Sequence, residues 1–328
     1  DAFRIAIKRL TENKEERLSM AKRAFSGSRA TAWENVAIKY GLLFGELTTR
    51  TEDLRFNLPP IKLDQIIELT TDFGILQFSK FGKPDPGSGY TLDDNARALI
   101  NMVMYNKYFE SPEALKLAEI YLSFIEGIQR DDGWFDNYKD FDHKLTKQNS
   151  EVNLEDANGR ALWSLGTLIG DKGLIPPALK SRANKCWVKA LNRMNDIKSP
   201  RAIAYAIKGL YHHYLADGNE KTKKQIGHFA EMLLNHYHIN SDDEWFWYED
   251  YMTYANNVLP EAMMYSYLIT KEKRFKIIAE ITFDFLLAHY FMKGQITVIS
   301  NRGWFKKKNE RAFYGEQPIE VATTIVTL

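Results

Sequence analysis

Asp93-Asp94-Asn95-Ala96-Arg97-Ala98-Leu99 and Asp156-Ala157-Asn158-Gly159-Arg160-Ala161-Leu162 are two copies of one pattern, Asp-x-Asn-small-Arg-Ala-Leu, about sixty residues apart. Each copy puts a carboxylate at the expected start of a helix and an arginine one turn later. Paired carboxyls are the tools of glycosidic cleavage: a protonated one acts as general acid, and an ionised one activates water or attacks the sugar. Inverting enzymes hold the two roughly 6.5–9.5 Å apart. Asp93 and Asp156, as repeat equivalents, are the first catalytic candidates, with Asp94 and Glu261 behind them. An aspartate at a helix start is also a natural N-cap. Asp94 is the more telling residue, because one carboxylate suffices for a cap. Two adjacent carboxylates repel, which raises one pKa toward general-acid use. Arg97 and Arg160 either pair with the aspartates of their own copy or contact substrate.

Sugars stack on aromatic rings, and here the aromatics cluster. Trp134-Phe135, Trp245-Phe246-Trp247-Tyr248 and Trp304-Phe305 each sit in a polar stretch that bears Asp or Gly. Trp134, Trp245, Trp247 and Trp304 are therefore stacking candidates, with Tyr90 beside the first motif. Asp136, between Trp134 and Tyr138, either adds hydrogen bonds to sugar hydroxyls or closes a Gly-anchored turn. Glu316-Gln317 precedes a helix and either reaches the site or caps that helix. Asp242-Asp243-Glu244 reads as a solvated acidic loop, whereas Glu249 and Asp250 follow an aromatic run and stay of interest. His236-x-His238 lacks a nearby third ligand, so no metal is expected. No Gly-x-Gly-x-x-Gly, Walker or Gly-x-Ser-x-Gly pattern occurs, and no cofactor is expected.

The elements must set those groups on one surface. The 328 residues suffice for a full core, in one large domain or two unequal ones. A net charge of +1 gives no field to attract nucleic acid or an anionic membrane. The lone cysteine, Cys186, excludes an internal disulfide framework and any Cys-based metal cluster. The longest apolar run, Phe283 to Met292, is too short to span a bilayer and contains Asp284 and His289. Asp1-Ala2-Phe3-Arg4 lacks the plan of a signal peptide, although a trimmed start would hide one. A cytoplasmic location is the expectation.

Residues 13–49 read as two helices, the second carrying Trp33, Val36, Ala37, Tyr40, Leu43 and Phe44 at helical spacing. Residues 51–60, closed by Pro59-Pro60, read as a linker. From Ile61 onward helix follows helix. Ser111-Pro112-Glu113 is a strong start signal, and others fall near Asp156, Pro176, Ser199-Pro200, Lys221, Pro260, Glu272 and Pro318. Helices opening near 93, 156, 200, 260 and 318 are rich in Ala, Gly and Met, whose small members let backbones approach closely. The others carry more Lys and Glu. Strand signals are weak, as at Gln295-Ile296-Thr297-Val298-Ile299. This alternation predicts an all-α toroid of helical hairpins, the (α/α)6 plan, over 61–328. It yields only five inner helices, so the ring is expected to be incomplete and the natural chain longer at both ends.

Two resemblances add to this reading. Residues 13–49, with Trp33-Glu34-Asn35-Val36-Ala37, Tyr40 and Leu43-Phe44, resemble the closing helices of a GT-B-type retaining glycosyltransferase. About four-fifths of the chain resembles the six-hairpin, glycosidase-like domain that follows such a transferase in some bacterial fusion proteins. Its marks are Gly89 to Leu99, Gly133-Trp134-Phe135-Asp136-Asn137-Tyr138, Glu155 to Leu162, and Glu316-Gln317-Pro318-Ile319-Glu320. The resemblance implies a carbohydrate-active toroid tethered to a glycosyltransferase, with an oligosaccharide or glycan as partner. Two readings stay open: glycosidic cleavage by paired carboxylates, and a non-catalytic glycan-binding or scaffolding domain. An epimerase-like toroid would want histidines at the inner-helix starts, and none stands there.

Overall fold

The computed structural model describes residues 1–28, 31–47, 59–172, 174–292, 295–312 and 315–328, without the side chains of Ser26, Glu34, Met292 and Gln295. It divides into two compact units, residues 1–61 and residues 62–312 with 316–328. In the first, α1 (Ala2–Glu12), α2 (Lys14–Ser28) and α3 (Trp33–Leu47) follow one another. Asn13 separates the first two, and its Oδ1 accepts from the Glu16 backbone N–H to start α2. Phe3, Phe25, Trp33 and Phe44 are exposed. The expected linker at 51–60 lies outside the described residues up to position 58.

The second unit is helical almost throughout. After α4 (Asp64–Leu69) come α5 (Leu92–Phe109), α6 (Pro112–Ile128), the short α7 (Gln148–Glu151), α8 (Glu155–Gly170) and α9 (Pro177–Ala190). Then follow α10 (Pro200–Asp217), α11 (Glu220–Asn240), α12 (Val258–Thr270), α13 (Lys273–Tyr290) and α14 (Pro318–Thr327). The helices begin where the start signals stand. Ser111 caps α6 by accepting from the Ala114 N–H, with Pro112 in the first turn.

Inner and outer helices separate as the composition implies. In series, α5 packs on α8, α8 on α10, α10 on α12 and α12 on α14. Each of the first four also packs on the helix that follows it, α6, α9, α11 or α13. Arg201 to Leu210 of α10 are all buried, as a helix enclosed on every side requires, whereas α6 and α11 bury one stripe. Glycine makes the inner contact possible. A Cβ at Gly166 of α8 would lie 2.2 Å from the Gly209 carbonyl oxygen, and one at Gly209 of α10 would lie 2.4 Å from that of Leu162. The fold is therefore all-α, built of successive helical hairpins.

Two-residue antiparallel strand pairs stitch the loops at the helix starts. Tyr90 pairs opposite Lys139 and Thr91 opposite Tyr138, which fixes the Trp134 loop against the start of α5. Tyr251 pairs opposite Lys306 and Met252 opposite Phe305, which brings Trp304 to the start of α12. Asn95 and Asn158, equivalent in the two motifs, do the same work with side chains. Asn95 accepts from the Ile75 N–H and donates to the Thr91 carbonyl. Asn158 accepts from the Phe135 N–H and donates to the carbonyls of Phe135 and Leu154.

Candidate functional site

The repeated aspartates are not caps. Thr91 caps α5 by accepting from the Asp94 N–H, and Asp93 lies in the first turn with its own N–H donated to Asn137 Oδ1. Asp156 lies in the first turn of α8, whose first N–H, that of Glu155, is taken by Asn153 Oδ1. Asp94 is locked in place: its Oδ2 accepts from the Thr91 hydroxyl and its Oδ1 lies 2.6 Å from Arg97 Nη2. Burial and the neighbouring Asp93 raise its pKa, against the opposing pull of Arg97.

The arginines choose different partners. Arg97 stays with Asp93 and Asp94 of its own copy. Arg160 instead crosses from α8 to α5, where Nη1 lies 2.6 Å from Asp93 Oδ1. Pairing of Arg160 with the aspartate of its own copy is thereby corrected. Its Nη2 donates to the Tyr205 hydroxyl at 3.0 Å, and its guanidinium lies 4.7 Å from the Tyr205 ring centroid and 5.5 Å from that of Tyr254. Burial works to deprotonate Arg160, but Tyr205, Asp93, Tyr254 and Asp156 outweigh it and hold the charge.

Asp156 faces a cavity of about 410 Å³ lined by Asn153, Asp156, Ser199, Pro200, Arg201, Glu249, Tyr251, Thr253, Tyr254 and Trp304. Its Oδ1 accepts from the Ser199 hydroxyl at 2.9 Å and its Oδ2 from the Tyr254 hydroxyl. Burial and the adjacent Asp156 charge push the Tyr254 phenol well above its ordinary value, so it stays a donor. Glu249 is the second carboxylate here, buried and bound by Arg201 Nη1 at 2.8 and 3.1 Å. Arg201 Nε donates to the Tyr254 carbonyl, while its buried Nη2 meets no hydrogen-bond acceptor among the described residues. Trp304, 40% exposed, stacks over Tyr251 with centroids 6.1 Å apart and planes at 22°. Carboxylates, donors and an aromatic face thus converge on one concavity.

A second cavity of about 390 Å³ adjoins it, lined by Arg130, Trp134, Asn149, Val152, Asn153, Leu154, Glu155, Arg193 and Asp196. Arg193 lies 5.5 Å from the Trp134 centroid and 2.6 Å from Asp132. Asp136 is only partly exposed and sits 3.8 Å from Arg130 Nη1. Trp134 and Asp156 therefore border neighbouring cavities rather than a single one, and Asp93, Asp94 and Asp136 line neither.

Several candidates lie elsewhere. Trp245 and Trp247 are buried in the core, Trp245 donating its indole N–H to the Glu249 carbonyl. Burial keeps both rings from stacking on a ligand, and Trp245 holds the backbone of Glu249, which lines the cavity. Tyr90 is 2% exposed, with its hydroxyl on Thr71. Glu261 is buried against Lys208 at 2.6 Å, and that ammonium lies 3.8 Å from the Trp163 ring centroid. Glu316 is exposed, and Gln317 stands at the N-cap of α14 without a side-chain cap bond. Among the described residues, no group of three or more His, Cys, Asp or Glu could hold a metal ion.

Among the cavity residues, Arg201 and Tyr254 were not sequence candidates. Arg201-Ala202-Ile203 repeats the Arg-Ala-apolar signature of Arg160-Ala161-Leu162, and that echo would have found Arg201. Tyr254 carried no pattern. Glu320, one turn into α14, is 1% exposed and accepts from the N–H groups of Ala255 and Asn256, the Asn256 amide and the Tyr290 hydroxyl. Burial raises its pKa against those donors.

Against known proteins, the solved structure of a sugar epimerase from a ruminal bacterium matches with a TM-score of 0.59, covering 74% of this chain and 72% of that one. Sequence identity is 13%. The two share a fold. At that identity the likeness extends no further than the fold. No protein-family model matches the chain, and no curated protein does.

Proposed function

We propose that residues 61–328 form part of an (α/α)6 toroid that acts on a glycosidic bond at the Asp156 cavity, with an oligosaccharide or glycan as ligand. The observation that carries this reading is the convergence of Asp156, Glu249, Arg201, Tyr254 and Trp304 on one concavity at the helix starts. Asp156, held by two hydroxyls and open to the cavity, serves as the acid–base group, and Glu249 is the second carboxyl. Asp93 acts through Arg160 as a positioning residue. Carbon-acid epimerisation calls for a pair of bases, for which histidine is the usual choice. No histidine is among the described residues lining either cavity, which favours the glycosidic reading over the activity named for the fold neighbour. Residues 1–50 are assigned to the tail of a glycosyltransferase and 51–60 to a linker, in a cytoplasmic protein. No helix among the described residues is long and apolar enough to cross a membrane.

The test is release of reducing ends from defined oligosaccharides. Asp156→Asn keeps the volume and is expected to lower kcat by about 10²-fold or more, with a small change in melting temperature. Wild-type turnover in that variant removes Asp156 from the chemistry. A second reading, glycan binding without cleavage, has its own support: Glu249 is fully engaged by Arg201 and both Asp156 oxygens already accept hydrogen bonds. Saccharide binding with no turnover by the wild-type protein would decide for it.

A further inference from the structure

We propose that the two cavities form one extended cleft with two sugar subsites, so that the ligand is a neutral oligosaccharide and not a monosaccharide. This rests on the reading that the Asp156 cavity takes a sugar. The two concavities share Asn153, and the chain between them is short: Leu154 and Glu155 line the first, Asp156 the second. At about 390 and 410 Å³, each sits at the low end of the ~300–1,000 Å³ typical of small-molecule sites. A ligand longer than one unit must cross the Asn153–Asp156 ridge.

The ridge is pinned. Glu155 Oε2 accepts from the backbone N–H groups of Lys198 and Ser199, both at 2.6 Å, and its Oε1 accepts from the Asn153 amide. Glu155 is thereby committed to the start of α10, which leaves Asp156 as the carboxylate beside a linkage crossing the ridge. Each side offers one aromatic face, Trp134 in the first cavity and Trp304 over Tyr251 in the second. The first subsite offers a carboxylate no unbalanced positive charge: Arg130 and Arg193 face Glu155 and Asp196 in the lining, and Asp132, which pairs with both arginines, adds one more negative charge. Hydroxyls, which both donate and accept, suit such a surface better than a carboxylated sugar does.

Isothermal titration of the full chain with mono-, di-, tri- and tetrasaccharide series built on glucose, mannose and galactose tests this. In the matching series, the trisaccharide is expected to bind at least about tenfold more tightly than the monosaccharide. Trp134→Ala should bring that ratio towards one. Arg193→Gln should do the same, and supplies the test if loss of the half-buried Trp134 prevents folding. Equal affinity for monosaccharide and trisaccharide, or a ratio that survives both substitutions, overturns the two-subsite cleft while leaving the Asp156 reading intact. Absence of binding across all three series overturns both.

Discussion

Substitution of Gly166 by alanine isolates the contact on which the site's alignment depends. Gly166 lies in α8 two turns beyond Arg160, and it packs on Gly209 of α10, the helix that carries Arg201. An added Cβ would meet the Gly209 oxygen at 2.2 Å and its carbonyl carbon and Cα at 2.7 Å. Ordinary contact begins at 3.4 Å, so the helices must part by more than 1 Å (3.4 − 2.2), and all three opposing atoms are backbone. Overpacking of this kind costs about 1–3 kcal/mol, and rigid opposing atoms put it at the upper end. Alanine's helix preference offsets at most about 1 kcal/mol. The expected net loss is about 2 kcal/mol. Gly127→Ala, in α6 with nothing within 4 Å, supplies the matched control and should be neutral or stabilising by up to about 1 kcal/mol. Urea unfolding of both variants reads the difference as a shift in midpoint at constant slope. If Gly166→Ala proves as stable as Gly127→Ala, backbone-to-backbone packing of α8 on α10 is wrong, and with it the placement of Arg160 beside Tyr205.

Two further outcomes follow from buried charge. Lys208→Met strands Glu261 in the core and should cost about 3–5 kcal/mol, whereas adding Glu261→Leu should recover much of it; an undiminished loss in the double variant would show that the pair is held by more than its own charges. Glu320 has a raised folded pKa, so the native state binds its proton more tightly than the unfolded chain does. Stability from this group is therefore lost as pH rises from the unfolded value of about 4.3 through the folded one. The wild-type protein should lose stability relative to Glu320→Gln across that window, and parallel pH profiles of urea midpoint for the two proteins would refute the burial argument.

Helix positions were legible because their signals are local. Ser111-Pro112, Ser199-Pro200 and Pro318 act within one turn of the backbone, and each opens a helix. The small residues of α8 and α10 likewise announced the inner helices, since only glycine permits the approach seen at Gly166 and Gly209. Even locally, Thr91 rather than Asp93 took the cap of α5, because the cap belongs to the residue with extended backbone just before the helix.

What the sequence could not specify is which charged groups meet. Spacing offers Arg160 the aspartate one turn before it, yet packing of α8 on α5 brings Asp93 within 2.6 Å. Packing of α12 on α10 likewise withdraws Glu261 to Lys208, while the loop before α12 buries Trp247 and sets Glu249 on Arg201, none of which a helical period encodes. Trp304 reaches the cavity only because a two-residue strand pair joins Tyr251-Met252 to Phe305-Lys306, more than fifty residues later. A helix is chosen by neighbours within four residues, whereas a cleft is chosen by whichever helix starts the tertiary fold sets side by side.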